Sequence, residues 1–498
     1  MRLPDACVIF AVSLTLAGFT PGDSIAQADA SPDRSNRNIV LFVADDHGQD
    51  TGAYGNPVLQ TPHLDAFADA SMLFTHAFAT TASCSASRSV LLTGLHNHRN
   101  GQYGHVHDFH HFMAFDNILS LPVLLEEAGY RTARAGKYHV APEAVFRFGE
   151  TIPGDTRDVV TMVDHARPFL EAESERPFFF YIATSDPHRG GGATSDEALA
   201  PDRFGNRPAG YPGIDPVIYD PEEVVVPPWL PDTPAARAEL AQYYQSVSRI
   251  DQGFGYLVQV LKEAGRYDDT LMLYLSDHGI AMPGAKTTVY EPGLRSPLIV
   301  RHPDAAERGV VTGAMVSWAD ITPTILDFAG IAEPTYSQQV QSEGIRMHLP
   351  DEHGLHGRSF LGVLEGGGGA GFDRVYASHT FHEIQMYYPM RVVRDRDYKL
   401  IWNVAHDLPF PFATDLWAAS TWQQAYRQGA DARYGVRSVQ DYIHRPEFEL
   451  YDMRADPWES ENLAYLPEYA EVLAAYRDML WDFEVRTSDP WLLKQEYE

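Results

Sequence analysis

Three short, almost unbroken apolar runs set the frame of this chain: Asn38 to Ala44, Phe178 to Ala183 and Thr270 to Leu275. Runs of this length without polar alternation are typical of strands buried on both faces, as in a parallel sheet. Each run stops at a cluster of acid and imidazole. These clusters are Asp45-Asp46-His47-Gly48, Ser185-Asp186-Pro187-His188 and Ser276-Asp277-His278-Gly279. Helical patterns separate the runs: Ser120 to Gly129 has a Ser cap and a Gly stop, and Ala235 to Ala264 keeps an apolar stripe. Alternation of strand and helix predicts an α/β fold. Ligands of open α/β sheets bind at the carboxyl ends of the strands, so the three polar clusters predict one shared site.

The rest of the chain divides by composition. Gly366 to Gly371 is a glycine-rich linker, which predicts a catalytic N-terminal domain over 36–365 and a smaller C-terminal domain over 372–498. In the latter, Arg391 to Trp402 suggests strands and Pro467 to Val485 a terminal helix. Residues 1–28 read as a secretory signal peptide: Arg2, an apolar stretch from Ala6 to Phe19, then the cleavage pattern Ala26-Gln27-Ala28. A periplasmic or secreted bacterial protein is expected, in keeping with the absence of any Asn-x-Ser/Thr acceptor. With 38 Lys+Arg against 68 Asp+Glu the net charge is −30, which disfavours nucleic acid and anionic membranes as partners. A small anionic substrate is still admitted, because a local site can oppose the global sign.

Two cysteines are present, and Cys7 falls in the leader. Cys84 is then alone in an oxidising compartment, with no partner for an internal disulfide. Asp45-Asp46 and Asp277-His278, at two strand ends, form the kind of oxygen-rich set that suits a hard divalent cation, although loop aspartates look the same in sequence. The histidines His105, His107, His110 and His111 admit a transition-metal site, a structural role or a place on a substrate rim.

The segment Cys84-Ser85-Ala86-Ser87-Arg88, running on to Leu92-Thr93-Gly94, resembles the signature of the type I sulfatases, with Ala86 where proline is usual. The resemblance extends over nearly the whole mature chain. It implies an alkaline-phosphatase-like fold, with a large α/β/α domain around a mostly parallel or mixed sheet and a smaller C-terminal α+β domain. It also implies that a formylglycine-generating maturase converts Cys84 to formylglycine, whose hydrated aldehyde is the nucleophile. Residue 84 would share a Ca²⁺ ion with Asp45, Asp46, Asp277 and His278. In the same pattern Lys137 and Lys286 contact sulfate, His139 assists its release and His188 faces the leaving group. Arg88 follows Cys84 by one helical turn, so both face the same way and the guanidinium can pair with an oxyanion.

Within that family the segments Leu95 to Phe115, Asp186-Pro187-His188-Arg189, Thr380-Phe381-His382-Glu383, Tyr388-Pro389-Met390-Arg391 and Leu408 to Phe412 resemble the sulfamidase (heparan N-sulfatase) branch. Lys286 departs from that pattern, which carries arginine in the mammalian type. The implied substrate is the N-sulfo group of N-sulfoglucosamine at the non-reducing end of heparin or heparan sulfate fragments, with His382, Glu383 and Arg391 selecting it. Alternatives are an O-sulfatase or arylsulfatase, a phosphonate or phosphate-ester hydrolase of the same superfamily, or a non-catalytic binder of sulfated glycans if Cys84 stays a thiol. A homodimer is compatible with the sequence and not specified by it.

Overall fold

The computed structural model describes residues 37–190, 200–337 and 352–493. All of them belong to one compact unit spanning Ser35–Glu498. The expected leader over 1–28, including Cys7, lies outside the described residues. No described helix is long and apolar enough to cross a membrane.

The first two-thirds of the described chain builds an eight-stranded sheet. Its strands are β1 (Asn38–Ala44), β2 (Met72–Phe78), β3 (Arg131–Gly136), β4 (Glu150–Ile152), β5 (Phe178–Ala183), β6 (Thr270–Ser276), β7 (Leu298–Arg301) and β8 (Val310–Ser317). The order across the sheet is β4-β3-β5-β1-β6-β7-β2-β8. β7 runs antiparallel to both of its neighbours, and every other pairing is parallel. The three apolar runs of the sequence are therefore β5, β1 and β6, side by side at the centre.

Their lack of alternation has the expected cause, because both faces are covered. Ile39, Leu41 and Val43 pack with Val90 to Leu92 and with Ile321, Ile325 and Leu326 on one side. Val40, Phe42 and Ala44 pack with Ile250, Phe254, Leu257 and Leu261 of the helix Pro234–Glu263 on the other. Full burial of such side chains stabilises the fold by roughly 1.5–3 kcal/mol each.

Register brings the strand ends level. Val43 pairs with Ala183 and Ala44 with Ser276, while Gly136 pairs with Ala183. The loops after β1, β3, β5 and β6 thus leave the sheet at one edge. Gly136 has φ 79°, and a Cβ there would lie 1.9 Å from the carbonyl oxygen of Ala183. Only glycine lets β3 turn out this close to β5.

A second sheet of four antiparallel strands, Arg374–His379, Met390–Asp395, Tyr398–Asn403 and Phe448–Asp452, follows the glycine run. One face carries the C-terminal helix Ala470–Thr487 through Tyr476, Leu480 and Phe483. The other shares a single apolar core with Phe78, Val289, Tyr290 and Met315 of the larger part. A mixed sheet between helices with a smaller α+β part is the architecture that the resemblance implied.

Candidate active site

Cys84 opens the helix Cys84–Thr93, whose ten residues are all buried. Ser83 before it is extended, and Gly94 closes the helix in the left-handed region at φ 67°. The helix N-terminus, with its partial positive charge, lies at the level edge of the sheet and favours negative charge there. One turn on, the Arg88 guanidinium bridges β1 and β6. Its Nε donates to Asp277 Oδ2 at 3.0 Å and Nη2 to Asp45 Oδ1 at 3.0 Å. Nη1 donates to the Tyr181 hydroxyl at 3.1 Å and the Lys137 carbonyl at 3.3 Å. The spacing argument correctly put Cys84 and Arg88 on one face, and Arg88 serves there as the clamp between two carboxylates.

The carboxylates crowd below the cysteine. One ligand atom from each of Asp46, Cys84, Asp277 and His278 lies within 4.8 Å of the others, all four residues being buried. His278 Nδ1 is 3.0 Å from the Gly279 carbonyl, an acceptor only, so Nδ1 carries a proton. Its Nε2 then faces Asp46 Oδ1 at 3.0 Å and Cys84 Sγ at 3.4 Å. An imidazole lone pair against a carboxylate oxygen needs a cation or a second proton between them. Burial pushes the Asp277 carboxyl up, although Arg88 and His278 oppose it. A buried Asp277 carboxyl that resists ionisation, beside an Asp46 carboxylate with the His278 lone pair turned on it, fits a hard divalent cation. Asp45 adjoins this set with its oxygens held by Lys137 Nζ at 2.8 and 2.6 Å. Burial alone would raise the Asp45 carboxyl, but Lys137 and Arg88 hold it well below the usual range.

Burial pushes the Cys84 thiol well above its ordinary value, with Asp46 adding to the effect. Reactive cysteines carry the opposite shift. An unmodified Cys84 is therefore a poor nucleophile here.

Cations and imidazoles ring the far side. Lys286 Nζ reaches Asp46 Oδ2 at 3.0 Å, Asp415 Oδ2 at 2.9 Å and His188 Nε2 at 2.9 Å. His188 Nδ1 lies 2.6 Å from the Arg189 carbonyl, so its Nε2 accepts from Lys286 and the ring is neutral. Burial, then the Lys286 charge, lowers the His188 pKa in accord with this. His139 Nε2 is 2.7 Å from His107 Nδ1, and His382 lies between His105 Nε2 at 2.9 Å and the Ser83 hydroxyl at 3.0 Å. Burial holds His105, His139 and His382 well below the ordinary imidazole range. Asp46, His139 and Thr287 all adopt left-handed backbone, with φ 66°, 57° and 64°. Strain of this kind on non-glycine residues concentrates at functional sites.

These groups line or back a cavity of about 700 Å³ whose wall includes Asp45, Lys137, His139, His188, Lys286, His382, Glu383 and Asp415. Glu383 stands at its edge and accepts from the Thr414 amide at 3.4 Å and hydroxyl at 3.2 Å. Arg391 is a correction. Expected at the pocket, it is wholly buried away from it and joined to Asp489 by two hydrogen bonds of 2.5 and 2.9 Å. Its strand, Met390–Asp395, is buried over its first five residues, which leaves the guanidinium no route to the cavity. Sequence reasoning missed Asp415 and Tyr181. Asp415 comes from a four-residue helix 129 positions beyond Lys286, and Tyr181 sits inside an apolar strand, so neither had a local signal.

Comparison with known proteins agrees with this geometry. The model of the family Sulfatase matches residues 37–331, and the model "N-sulphoglucosamine sulphohydrolase, C-terminal" matches 284–408. The chain is 41% identical over 469 residues to N-sulphoglucosamine sulphohydrolase of Homo sapiens, covering 92% of this chain and 91% of that protein. It is 28% identical to an ulvan-active sulfatase of Formosa agariphila, covering 87% of this chain and 77% of the relative. A solved structure in complex with its substrate D-glucosamine-2-N,6-O-disulfate shares the fold, with TM-score 0.62, 21% identity and coverage of 91% of this chain and 99% of that one. So does the phosphonate monoester hydrolase of Agrobacterium radiobacter, with TM-score 0.61, 19% identity and coverage of 91% and 96%. One fold thus hosts more than one hydrolytic chemistry, and the likeness to solved structures speaks only to architecture. Membership rests on the match of residues 37–331 and on the full-length likeness to the human enzyme: the chain belongs to the sulfatase family.

Proposed function

We propose that this protein removes the N-sulfo group from non-reducing-end N-sulfoglucosamine in heparin or heparan sulfate fragments, as an exported, formylglycine-dependent and calcium-dependent sulfamidase. The observation that carries the reading is the 41% identity to the human N-sulphoglucosamine sulphohydrolase along nearly all of both chains. The raised pKa of the buried Cys84 thiol supports a nucleophile other than the thiol itself, the formylglycine that a maturase would make from it.

Asp46, Asp277, His278 and residue 84, with Asp45 adjoining, would hold the calcium ion. Bound there, the cation supplies Lewis-acid polarisation of sulfate oxygens and a lowered pKa for a neighbouring hydroxyl. Formylglycine supplies a hydrated aldehyde oxygen as nucleophile in place of a thiol. Around that centre the chain's own cations receive the sulfo group. Lys137 and Lys286 present ammonium groups to the cavity, and Arg88 fixes the carboxylates from behind. A sulfamate nitrogen departs poorly as an anion, so proton delivery to it matters. His188 would fill that role once its Nε2, which accepts from Lys286 at 2.9 Å in the neutral ring, has taken up a proton, its Nδ1 staying anchored on the Arg189 carbonyl. His139, neutral through burial and steadied by His107, is set to take a proton during sulfate release. His382 and Glu383 at the cavity wall contribute to sugar selection.

The test is sulfate release from N-sulfoglucosamine, glucosamine 6-sulfate and an aryl sulfate, run beside mass spectrometry across residue 84. Preferential release from N-sulfoglucosamine by formylglycine-bearing protein is expected. Release from glucosamine 6-sulfate with none from N-sulfoglucosamine would overturn the sulfamidase reading and leave the family intact.

A further inference from the structure

A second cavity, of about 400 Å³, is built partly on the same two loops, those after β1 and β6, that carry the carboxylates. Gly48, Gln49 and Asp50 come from the first loop and Ile280 from the second, and Arg295 joins them. Trp229, Tyr244 and Trp458 add aromatic walls, the last of these 38% exposed. The cavity shares no lining residue with the catalytic one. Its size and its mixture of apolar walls with a few polar groups are those of a small-ligand pocket.

The polar groups are unevenly satisfied. Arg295 is partly buried, and its Nε donates to the Thr75 carbonyl at 2.8 Å. Neither Nη has an acceptor or an ion-pair partner among the described residues, so most of the guanidinium donors are unused. Glu291, one turn before it, is already shared by Arg394 Nε at 3.3 Å and Lys399 Nζ at 3.4 Å. Burial accordingly lowers the Arg295 pKa, and Glu291 only partly opposes this. A half-buried cation in this state is stabilised by an anion that brings its own oxygens. Other parts of the lining offer acceptors. Asp50 Oδ1 receives the Tyr243 hydroxyl at 3.2 Å and faces His47 Nε2 at 3.2 Å, while Oδ2 has no partner among the described residues. Gln49 Nε2 donates to the Ser296 carbonyl at 2.9 Å, and its Oε1 has no donor among the described residues.

We propose that this cavity is a second, non-catalytic carbohydrate site that takes one anionic pyranose. The carboxylate or sulfate of the sugar pairs with the Arg295 guanidinium, whose planar fork matches either anion. Ring hydroxyls donate to Asp50 Oδ2 and Gln49 Oε1, which an acid without hydroxyls would leave unmet. The C–H face of the ring packs on the flat apolar bodies of Trp229, Tyr244 and Trp458. The proposal does not rest on the sulfamidase reading, because no residue it uses lines the catalytic cavity.

The full-length protein, Arg295→Gln and Trp458→Ala are each titrated with glucuronate, glucose 6-sulfate and glucose by saturation-transfer NMR. The expected result is binding of glucuronate, glucose 6-sulfate or both, with glucose bound about tenfold more weakly, the loss of one charge-assisted contact. Each variant should weaken binding of the anionic sugar by about tenfold as well. Which of the two anions binds tells whether the site reads a carboxylate or a sulfate, and either supports it. No binding of either anion, glucose bound as tightly as the anions, or an affinity that a folded variant leaves unchanged overturns the site. Trp458 is a surface side chain, so Trp458→Ala keeps the test decisive should Arg295→Gln fail to fold. Sulfate release by Trp458→Ala should stay within about twofold of the parent; a larger fall would overturn the assignment of the cavity as non-catalytic. Should N-sulfoglucosamine prove not to be the substrate, the three titrations still decide the site.

Discussion

Arg391→Met removes a guanidinium that the structure seals beneath the C-terminal helix. Arg391 Nε and Nη2 donate to Asp489 Oδ2 and Oδ1 at 2.5 and 2.9 Å, and neither side chain has any exposed surface. Nη1 donates to the carbonyls of His379 and Met390, and the guanidinium lies 4.9 Å from the Trp491 ring. Burial alone would raise the Asp489 carboxyl, but Arg391 and His98 bring it down to about 2 from an ordinary 3.8. That depression corresponds to about 2.5 kcal/mol. Taking away one partner also strands the other as an unpaired buried charge, so the expected cost is about 3–5 kcal/mol. Asp489 follows the helix Ala470–Thr487 and its amide bonds back to the Glu484 carbonyl, so the loss is felt as undocking of that helix.

The assay is urea unfolding of Arg391→Met, Asp489→Asn and the double variant at pH 7, with kcat and KM measured below the transition. Each single variant should lose 3–5 kcal/mol, and the double variant less than the sum, because neither charge is then left alone. KM should stay within twofold. Asp489 has a depressed folded-state value, so its contribution is present above about pH 3.8 and is lost as pH falls from 3.8 towards 2. Unchanged stability in Arg391→Met together with a tenfold rise in KM would refute this reasoning and return Arg391 to the substrate site.

Four other outcomes are expected. Cys84→Ala should fold with an unchanged melting temperature and lose turnover by roughly 10⁴-fold or more, since it removes the group that forms the covalent bond; peptide mass spectrometry should show formylglycine at position 84 of active protein. A chelator should abolish activity, and Ca²⁺ but not Zn²⁺ should restore it; Asp277→Asn should need at least tenfold more Ca²⁺ for half-maximal rate. His188→Ala should slow sulfamate hydrolysis by about 10²–10⁴-fold and hydrolysis of an activated aryl sulfate far less, because only the poor leaving group needs the proton. Asp415→Asn, which releases Lys286 from one of its two carboxylate partners, should lower kcat/KM by about 10–100-fold with a small change in stability, read by kinetics beside thermal unfolding.

Much of the site was legible before any coordinates. Apolar runs report burial on both faces because every residue of β1, β5 and β6 touches a covering layer, and this holds whatever the strand order. Loops that follow such strands must leave at the carboxyl edge, which is why Asp45, Asp46, His188, Asp277 and His278 could be grouped unseen. Cys84 and Arg88 share a face through helical period alone. The glycine of Gly136-Lys137-Tyr138-His139 had a reason that only register exposes, the Ala183 carbonyl oxygen standing where a Cβ would have to go.

The tertiary structure alone decided which groups from distant segments meet. That β7 runs antiparallel between β6 and β2, and that β8 lies outermost, depends on long connections that carry no periodic signal. Asp415 reaches Lys286 because the second sheet shares a core with the first, and a lone acid in a short helix does not announce a partner 129 residues away. His105, His107, His139 and His382 meet through two loops and the second module, although sequence could offer only the first pair and its neighbours as a cluster. Arg391 went wrong for the same reason. A charged residue in an alternating strand reads as surface or pocket rim until its counter-charge is found, and Asp489 lies 98 residues further along the chain. Local pattern encodes how much water a side chain will see. The identity of its neighbour is set by how the layers close, and that closure is a property of the whole chain.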